Sequence, residues 1–373
     1  MSKCSTAPVI VHVIYSGVGG IASVFFSLAE ASRNDKFRHA VAFYGIEPIP
    51  DDYISHCDLL GIEYHYFRRK PRIDFTVNNA LYNWAKKLNP HAIIVNLPRA
   101  LPPMARYKRT FPKTILIGVE HHANALKRPI DWIGSIAFMR HCTHTVYLTE
   151  VYKKEVASKI RGFFNPSKCV VIPNGINIEK FAPTPQKTKC NVLRIGTCGR
   201  LTQSKDIPTL IKAFAISKQS CSADTLTLTI AGDGPERNKL TTEVTSLQLE
   251  KFVSFEGFLT ENELVSWFQS LDIYVQPTLS ETMSTSIIQA LSCGLPCVVS
   301  DLPGMSELVP PDTGYIVHTK KTQLFAEKIS YLIQNKKERI RMGSAAREHA
   351  AHELSQSTTW KRYKNLLSQH SLS

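Results

Sequence analysis

The sequence predicts an α/β protein built from two doubly wound, Rossmann-like domains. Short β-branched runs alternate with amphipathic helical stretches, and this alternation starts again after a proline-containing segment near the middle of the chain. The 373 residues are too many for one ordinary core and fit two domains of about 150–200 residues each. We expect the carboxyl ends of the strands of both sheets to face each other across a cleft, where such folds bind ligands.

The first domain is predicted over residues 1–185. Its strands are near-continuous apolar runs, which is typical of parallel sheets covered on both faces: VIVHVIYS, HAVAFYG, IEYHYF, AIIVNL, KTILIGVEH, THTVYLTE and KCVVIPNG. Helices are predicted between them, among others at IASVFFSLAEASRN and FTVNNALYNWAKKLN. The segment FAPTPQKTKCN has two prolines and no periodicity, and it is the predicted linker.

The second domain is predicted over residues 186–356. Its strands are VLRIGTCG, LTLTIAGDG, FVSFEG, DIYVQPT and PCVVS, and helices such as IPTLIKAFAISKQ and ENELVSWFQSL separate them. The tail STTWKRYKNLLSQH has the pattern of a last amphipathic helix, within residues 357–373. We expect this helix to return to the first domain.

The composition is that of a globular protein, with 43% hydrophobic and 20% charged residues. The first apolar run, APVIVHVIYSG, lacks the basic flank and cleavage site of a signal peptide, and no stretch approaches the ~18 apolar residues of a membrane span. The nine cysteines form no C-x-x-C pair, which favours free thiols in a reducing compartment. We therefore expect a cytoplasmic protein.

The net charge of +14 is unevenly distributed. Residues 1–185 contain 24 Lys and Arg against 13 Asp and Glu, whereas residues 186–373 contain 21 against 18. An anionic partner of the first domain could be nucleic acid, a membrane surface or a phosphate-bearing substrate, and a solvated basic face is the simpler alternative. No aromatic–basic ribonucleoprotein pattern and no helix-turn-helix signal accompanies the charge, so nucleic acid is disfavoured.

The loop SGVGGIAS after the first predicted strand matches the loose dinucleotide pattern through Gly17, Gly19 and Ala22. The acidic residue expected about 20 residues later is poorly matched, because only Glu47 follows the second strand. The interpretation of the chain as a nicotinamide oxidoreductase would rest on this loop alone. Gly19 and Gly20 allow close backbone approach to a phosphate or a sugar, and a tight structural turn is the alternative.

A titratable cluster ends the strand KTILIGVEH. It consists of Glu120, His121 and His122, and the carboxyl end of a parallel strand is where site residues gather. Adjacent side chains of an extended chain point in opposite directions, so at most one histidine faces a ligand. No further ligands at metal spacing accompany them, which disfavours zinc.

Two cations lie in the loop TCGRLTQSKDIPTL, which follows the first strand of the second domain. Arg200 and Lys205 flank the turn into the next helix. Two cations at a strand end can hold a diphosphate between them, and two solvated surface cations are the alternative.

The segment SETMSTSIIQALSCGLPCVVSD predicts a helix whose opening is kept free of acids, apart from Glu281 at its front. Gly294 ends this helix and Pro296 prevents it from resuming. Glu281 and Gln289 would not share a helix face, so Glu281 is placed before the helix. The opening suits an anion because its first N–H groups lack partners. The amides assigned to this role are those of Met283, Ser284, Thr285 and Ser286.

These segments together resemble the group 1, or family 4, retaining glycosyltransferases with the GT-B fold. The resemblance covers nearly the whole chain in order, and it is most specific from Arg200 to Glu307. It rests on GVGGIASVFFSLAEA, VEHHANALKR, VVIPNGINIEKFAP, IGTCGRLTQSKDIPTLIKAFA, LTIAGDGPERNKL, VSFEGFLTENELVSWFQSLDIYVQPT and SETMSTSIIQALSCGLPCVVSDLPGMSEL.

For the second domain, the resemblance implies a nucleotide-sugar donor site, with a UDP-linked sugar expected. Arg200 and Lys205 match the residues that hold the diphosphate, and Glu281 matches the first acid of the paired-glutamate motif near the donor sugar. The second glutamate, which usually binds the ribose hydroxyls, is Gln289 here. Glutamine keeps an acceptor oxygen but loses the charge, so this ribose contact should weaken by roughly 1 kcal/mol.

For the first domain, the resemblance implies an acceptor-binding role. Gly19 and Gly20 match the loop under the diphosphate, and His121 matches the histidine beside the transferred sugar, which leaves His122 as its structural partner. The implied acceptor is a glycan or a lipid-linked saccharide, in cell-surface polysaccharide or glycoconjugate synthesis. The implied reaction keeps the anomeric configuration of the sugar.

No cofactor and no metal is expected. The chain has no D-x-D pair of the kind that holds Mg²⁺ on a diphosphate, and the two cations and the helix amides would replace the ion. A nucleotide-sugar epimerase, a phosphorylase on the same fold and an inactive relative are the alternatives. An epimerase would need several acids around the sugar, and a phosphorylase would need a lysine for its cofactor. The sequence shows no signature of either enzyme.

Two basic stretches of the first domain, FRRKPRIDF and PRALPPMARYKRTFPK, mix cations with aromatic and aliphatic residues. Such stretches suit the headgroup zone of an anionic membrane. Related enzymes often extend lipid-diphosphate carriers at the cytoplasmic face, so we expect a peripheral protein of the inner face of the cytoplasmic membrane. The oligomeric state stays open. The cations are Arg68, Arg69, Lys70, Arg72, Arg99, Arg106, Lys108, Arg109 and Lys113.

Overall fold

A computed structural model describes residues 7–71, 74–184, 192–219 and 226–368. The chain divides into two compact units. Within the described residues, the first unit comprises residues 7–176 and 356–368, and the second comprises residues 177–355.

The first unit is a parallel sheet with helices on its connections. Its strands are β1 (Val9–Ile14), β2 (Arg38–Gly45), β3 (Glu63–Arg68), β4 (Ala92–Val95), β5 (Ile115–Glu120), β6 (His144–Tyr147) and β7 (Cys169–Val171). Its helices are α1 (Gly20–Ala31), α2 (Asp51–Leu60), α3 (Phe75–Leu88), α4 (Leu101–Thr110), α5 (Pro129–His141) and α6 (Glu150–Lys159). All seven predicted strands are present.

The seven strands of the first sheet run in the order β3-β2-β1-β4-β5-β6-β7, and every pairing is parallel. Strands β1, β4 and β5 are buried along their whole length, which explains their continuous apolar sequences. The strand order reverses between β1 and β4. In a doubly wound fold this reversal opens a crevice at the carboxyl ends of the two strands.

The second unit repeats this architecture. Its strands are β8 (Leu193–Cys198), β9 (Leu226–Ala231), β10 (Val253–Gly257), β11 (Ile273–Gln276), β12 (Cys297–Ser300) and β13 (Gly314–Val317). Its helices are α7 (Ile207–Gln219), α8 (Arg237–Ser246), α9 (Glu261–Ser270), α10 (Thr285–Ser292), α11 (Met305–Leu308), α12 (Thr322–Gln334) and α13 (Lys336–Glu353). Strand β13 was not predicted from the sequence.

The six strands of the second sheet run in the order β10-β9-β8-β11-β12-β13, again with parallel pairing throughout. The order reverses between β8 and β11, so the loops that follow these two strands lie side by side. The predicted fold class of two doubly wound parallel sheets is therefore confirmed.

The second unit begins at Asn177, earlier than the boundary predicted after residue 185. The reason is packing, because Phe181 is 2% exposed and its ring meets Phe268 edge-on at 6.1 Å between ring centroids. Lys180 pairs with Glu261 in the same unit. Most of the predicted linker, at residues 185–191, lies outside the described residues.

The last helix, α14 (Gln356–Ser368), belongs to the first unit. Trp360 is 5% exposed and packs edge-on against Phe37 and His39, with ring centroids 5.8 and 5.6 Å away. Its indole N–H donates to the carboxylate of Asp35, which also pairs with Lys364. Trp360 and the carboxylate of Asp35 therefore help to hold this helix against the first unit.

The six cysteines in the described part of the chain are free thiols. Cys4, Cys190 and Cys221 lie outside it. Within the described ranges, every helix is too short or too polar to span a bilayer.

We predict that Trp360→Ala lowers the free energy of unfolding by about 3–5 kcal/mol, because it removes a large buried ring and leaves Asp35 without one donor. Lys361→Ala, at an exposed position of the same helix, should change it by less than about 0.5 kcal/mol. Urea unfolding followed by circular dichroism measures both. Equal stability of the two variants would show that α14 is not tied to the first unit through Trp360.

Candidate functional site

The loops after β8 and β11 meet at the strand-order reversal of the second sheet. The carbonyl of Ser204, in the β8–α7 loop, accepts hydrogen bonds from the Leu279 amide at 2.7 Å and the Thr278 hydroxyl at 2.9 Å. The Thr278 amide in turn donates to the hydroxyl of Ser300, at the end of β12. Backbone and side-chain hydrogen bonds thus hold the two loops against each other.

An ion pair joins the same two loops. Lys205 Nζ lies 2.6 Å from Glu281 Oε2, and the two side chains are only 21% and 17% exposed. Lys205 ends a short 3₁₀ turn, and Asp206 then takes a left-handed conformation with φ 45° and accepts a hydrogen bond from the Thr209 hydroxyl at the start of α7. The structure therefore brings together the cation and the acid that the sequence singled out separately.

Helix α10 begins at Thr285, directly after the Glu281 loop, and its opening matches the predicted one. Ser284 is the N-cap residue, yet no side chain among the described residues caps the helix, and no acid lies in its first turn. The helix ends as predicted, with Gly294 in the left-handed region at φ 71° and the Leu295 amide donating to Ala290. An uncapped helix opening beside a lysine offers N–H groups and positive potential of the kind that suits an anion.

The hydroxyls of the helix opening point inward instead of capping the helix. Gln276, 1% exposed at the end of β11, accepts hydrogen bonds at Oε1 from Ser284 at 3.1 Å, Ser286 at 2.9 Å and Tyr274 at 2.8 Å. Ser284 and Ser286 also contact each other at 2.9 Å. A single buried amide therefore fixes the first turn of α10 to the strand beneath it.

The Gln276 side chain also lines a pocket beneath the β8–α7 loop. In the described part of the chain its Nε2 has no hydrogen-bond partner. The other lining residues are Thr197, Cys198, Gly199, Leu201, Lys205, Ile207 and Ala231.

Close packing of backbone shapes the neighbouring strand end. Gly232 follows β9 with φ 115°, and a Cβ atom there would lie 2.1 Å from the carbonyl oxygen of Gly199. Its amide donates to the Gly257 carbonyl at the end of β10. Only glycine fits at this position, because the loops of three adjacent strands converge on it.

The remaining predicted residues of this unit differ in exposure. Arg200 is exposed in the loop after β8, and Gln289 is 6% exposed within α10. Met283 is buried, and Thr285 is partly exposed at the start of the helix.

In the first unit, the glycine loop leads directly into α1. Gly20 begins the helix and Gly19 is its N-cap residue, and no acid lies in the first turn. A Cβ atom at Gly19 would meet no atom within 4 Å, whereas one at Gly17 would lie 2.1 Å from Glu47 Oε2. A side chain at Gly17 would therefore have to displace the Glu47 carboxylate, whereas the space beside Gly19 is open.

His121 and His122 follow β5 and differ sharply in environment. His121 Nε2 lies 2.8 Å from Oδ1 of Asn96, the residue that follows β4, and burial lowers the pKa of His121 to about 4. His121 is therefore a neutral imidazole near pH 7. The His122 side chain is exposed, contrary to its expected role as the structural partner, because successive residues of the extended chain face opposite ways.

Three structural features of these regions were not predicted from the sequence. Asn96 is a polar residue directly after the apolar run AIIV, and Gln276 is a polar residue inside a buried strand. A polar residue at the end of an apolar strand is a visible signal, but it does not reveal the partner that the side chain contacts. The third feature, a buried ion pair of Glu120 with Lys127, could not be found by spacing because it depends on how a loop folds back. No cluster of three potential metal ligands occurs in the part of the chain that the structure describes.

Two doubly wound units, each built on a parallel sheet, have the architecture of the GT-B class of folds. The model "Glycosyl transferases group 1" matches residues 180–349, and the model "Glycosyltransferase Family 4" matches residues 18–180. The chain belongs to the group 1, or family 4, glycosyltransferases, which confirms the resemblance seen in the sequence.

The curated relatives match about half of this chain. The phosphatidylinositol N-acetylglucosaminyltransferase gpi3 subunit of Schizosaccharomyces pombe is 26% identical over 52% of this chain and 46% of its own length. The UDP-Gal:alpha-D-GlcNAc-diphosphoundecaprenol alpha-1,3-galactosyltransferase of Escherichia coli is 28% identical over 53% of this chain and 54% of its own. The chain thus spans about half the length of the curated relatives it matches.

A solved structure matches over nearly the full length. The crystal structure of Anabaena HepE in complex with UDP-glucose superposes with a TM-score of 0.82, covering 97% of this chain and 99% of HepE. The sequences are 19% identical, so this similarity concerns the fold.

We predict that Gln276→Met lowers the free energy of unfolding by about 1–3 kcal/mol, because it removes the shared acceptor of three buried hydroxyls at nearly constant volume. Gln323→Met, at an exposed position of α12, is the matched control and should be close to neutral. Chemical denaturation compares the two. If the Gln276 variant is as stable as the control, the amide does not hold the opening of α10.

Proposed function

We propose that the protein transfers a sugar from a nucleotide-sugar, expected to be UDP-linked, to a hydroxyl of a glycan or lipid-linked saccharide, with retention of anomeric configuration. The observation that carries this proposal is the meeting of Lys205, Glu281 and the uncapped opening of α10 at the strand-order reversal of the second sheet. Family membership supports the reaction class.

The diphosphate of the donor is assigned to the opening of α10. The first helix amides and Lys205 supply positive potential there, and Arg200, exposed on the same loop as Lys205, supplies more. Lys205 already forms an ion pair with Glu281, with 2.6 Å between Nζ and Oε2. An arriving diphosphate would therefore share the ammonium group with that carboxylate. The pair would then hold the lysine in position before the ligand arrives, which reduces the ordering cost of binding.

Glu281 and His121 are assigned to the transferred sugar. The Glu281 carboxylate has Oε1 bonded to the Thr282 amide at 3.1 Å and Oε2 to Lys205, so its orientation is fixed for accepting hydrogen bonds from sugar hydroxyls. The neutral imidazole of His121, oriented by Asn96, can hydrogen-bond a sugar hydroxyl without adding charge. Gln289 is assigned to the ribose.

In the proposed step, the bond between the sugar anomeric carbon and the diphosphate oxygen breaks while the acceptor hydroxyl oxygen bonds to the same face of that carbon. The departing diphosphate takes the acceptor proton. The protein's own contribution is positioning, together with stabilisation of the negative charge that develops on the diphosphate.

The names of three similar proteins support the choice of substrates. HepE was crystallised with UDP-glucose, and the E. coli relative is named for a UDP-galactose donor and a diphosphoundecaprenol-linked acceptor. The S. pombe relative is named for a phosphatidylinositol acceptor. These names support a UDP-sugar donor and a lipid-linked acceptor for this protein.

We predict that Lys205→Ala and Arg200→Ala each weaken UDP binding about 10- to 150-fold, because each removes a charge-assisted hydrogen bond worth about 1.5–3 kcal/mol. Lys212→Ala is the matched control: this lysine is 56% exposed on α7 and pairs with Glu243. Isothermal calorimetry with UDP measures all three variants.

A parent protein that binds UDP, together with a Lys205 variant of equal affinity, would contradict the assigned diphosphate site. An equal loss in the Lys212 variant would show that general positive charge, and not the site, drives binding.

We predict that UDP affinity is the same in excess chelator as in millimolar Mg²⁺, because the cations and the helix amides neutralise the diphosphate. Calorimetric titrations in the two buffers make the comparison. Affinity that falls to background in chelator would mean that a divalent ion bridges the diphosphate to the protein.

The basic stretches of the first unit flank one helix. The Lys70 amide donates to Asp74, the N-cap residue of α3, and Arg106 donates to Asn79 on α3 at 3.0 Å. Phe75, at the start of the same helix, is 75% exposed. Cations around an exposed aromatic ring suit an anionic membrane surface, and we propose that this face binds one.

We define the basic surface by its exposed cations: Arg68, Lys70, Arg99, Arg106, Arg109 and Lys113. Arg69 and Lys108 are only partly exposed, and burial lowers the pKa of Lys108. Arg72 lies outside the described residues.

We predict that the protein sediments with vesicles containing anionic lipid and not with neutral ones, and that added salt releases it. Reversing Arg68, Lys70 and Arg109 to Glu should abolish sedimentation and leave UDP affinity unchanged. Reversing Lys251, Lys321 and Lys337, which are exposed in the second unit, is the control and should have little effect. Absence of binding to anionic vesicles, or equal binding to neutral ones, would contradict the membrane role.

A further inference from the structure

A buried ion pair lies next to His121 and plays no part in the function proposed above. Lys127 Nζ is 2.8 Å from Glu120 Oε2, and the side chains are 1% and 2% exposed. Lys127 also donates to the Ser135 hydroxyl at 2.9 Å. Its ammonium group lies 4.6 Å from the ring centroid of Trp132 and 5.4 Å from that of Tyr152.

The pair closes the loop that carries the two histidines. Glu120 is the last residue of β5, and Lys127 is seven positions further, just before α5, so their contact folds the loop back onto its own strand. The loop is held at a second point, where the Tyr152 hydroxyl donates to the His122 carbonyl. We call Glu120, Lys127 and Tyr152 the clasp.

Burial of this pair is costly for the protein. Taking two charges out of water requires good geometry and further hydrogen bonds to offset the loss of hydration. Glu120 Oε1 is buried and has no hydrogen-bond partner among the described residues, so the offset is incomplete. An apolar pair of similar size would often be at least as stable, which favours a role for the charges beyond stability.

The geometry of the strand end links the clasp to His121. Successive side chains of an extended chain alternate, so Glu120 faces α5 and α6 while His121 faces Asn96 at the end of β4. Any rotation of the backbone at this point would move both side chains together. The clasp fixes Glu120, and the backbone transmits that constraint to the neighbouring imidazole.

We propose that Glu120, Lys127 and Tyr152 are positioning residues that hold the His121 imidazole in its half-buried, Asn96-bonded orientation. This rests on the role proposed for His121, and it adds the device that keeps that residue in place. The clasp does not touch the substrate. It acts on the reaction only through His121.

The test uses the double variant Glu120→Gln/Lys127→Met in the full chain. It removes a net-neutral pair, so its direct electrostatic effect on His121 is small, and it leaves no unpaired buried charge. The control is Glu150→Gln/Lys153→Met, which makes the same two changes at a more exposed pair on α6, 2.9 Å apart. His121 is identified among the 13 histidines by the loss of its NMR signal in His121→Gln.

We expect the pKa of His121 to rise in the double variant, from about 4 toward the ordinary value of 6.5, because a loosened loop admits water to the imidazole. The control should titrate like the parent. We also expect the turnover number with donor and acceptor to fall at least 10-fold while UDP affinity stays unchanged. A folded double variant with the parental His121 pKa and turnover would overturn the proposal.

Tyr152→Phe covers the case in which the double variant does not fold. It removes only the hydroxyl that donates to the His122 carbonyl. We expect a smaller rise of the His121 pKa, and an unchanged value would count against the clasp. UDP that fails to bind the parent protein would refute the proposed function instead, since the His121 titration needs no substrate.

Discussion

The contact on which the candidate site depends is the ion pair of Lys205 with Glu281. It exists because the order of the second sheet places β8 beside β11, so that the loops after two distant stretches of sequence become neighbours. The Ser204 carbonyl, which accepts two hydrogen bonds from the β11–α10 loop, keeps the cation and the acid at bonding distance. The sheet thus supplies the framework, and the two loops supply the chemistry.

Hydrogen bonds from side chains also fix the opening of α10. Its serines bond to the buried Gln276 instead of capping the helix, so the first turn is fixed without a side-chain cap from the described residues. A buried amide that accepts three hydroxyls makes this arrangement stiff. In the first unit, the Asn96 contact and the buried Glu120–Lys127 pair hold His121 in a comparable way.

The alternation of apolar strands and helices predicted both sheets, because strands buried on both faces leave a strong sequence signal. The signal was weaker for β13, where Gly314 and Tyr315 stand in a strand only partly buried. Lys205, Glu281 and the opening of α10 were predicted because loop cations and helix ends follow local rules. The sequence did not predict the contacts of Asn96, Gln276 and Lys127. Each of these residues bonds to a partner that only folding brings near. The boundary of the second unit was missed for the same reason, since Phe181 joins it by packing against Phe268.

The proposed function requires that a nucleoside diphosphate binds at the opening of α10. A crystal structure of the protein with UDP tests this most directly. The account predicts a phosphate oxygen within hydrogen-bond distance of the first amides of α10 and of Lys205 Nζ. Density for UDP at the Gly19 loop of the first unit alone, with the opening of α10 unoccupied, would contradict it.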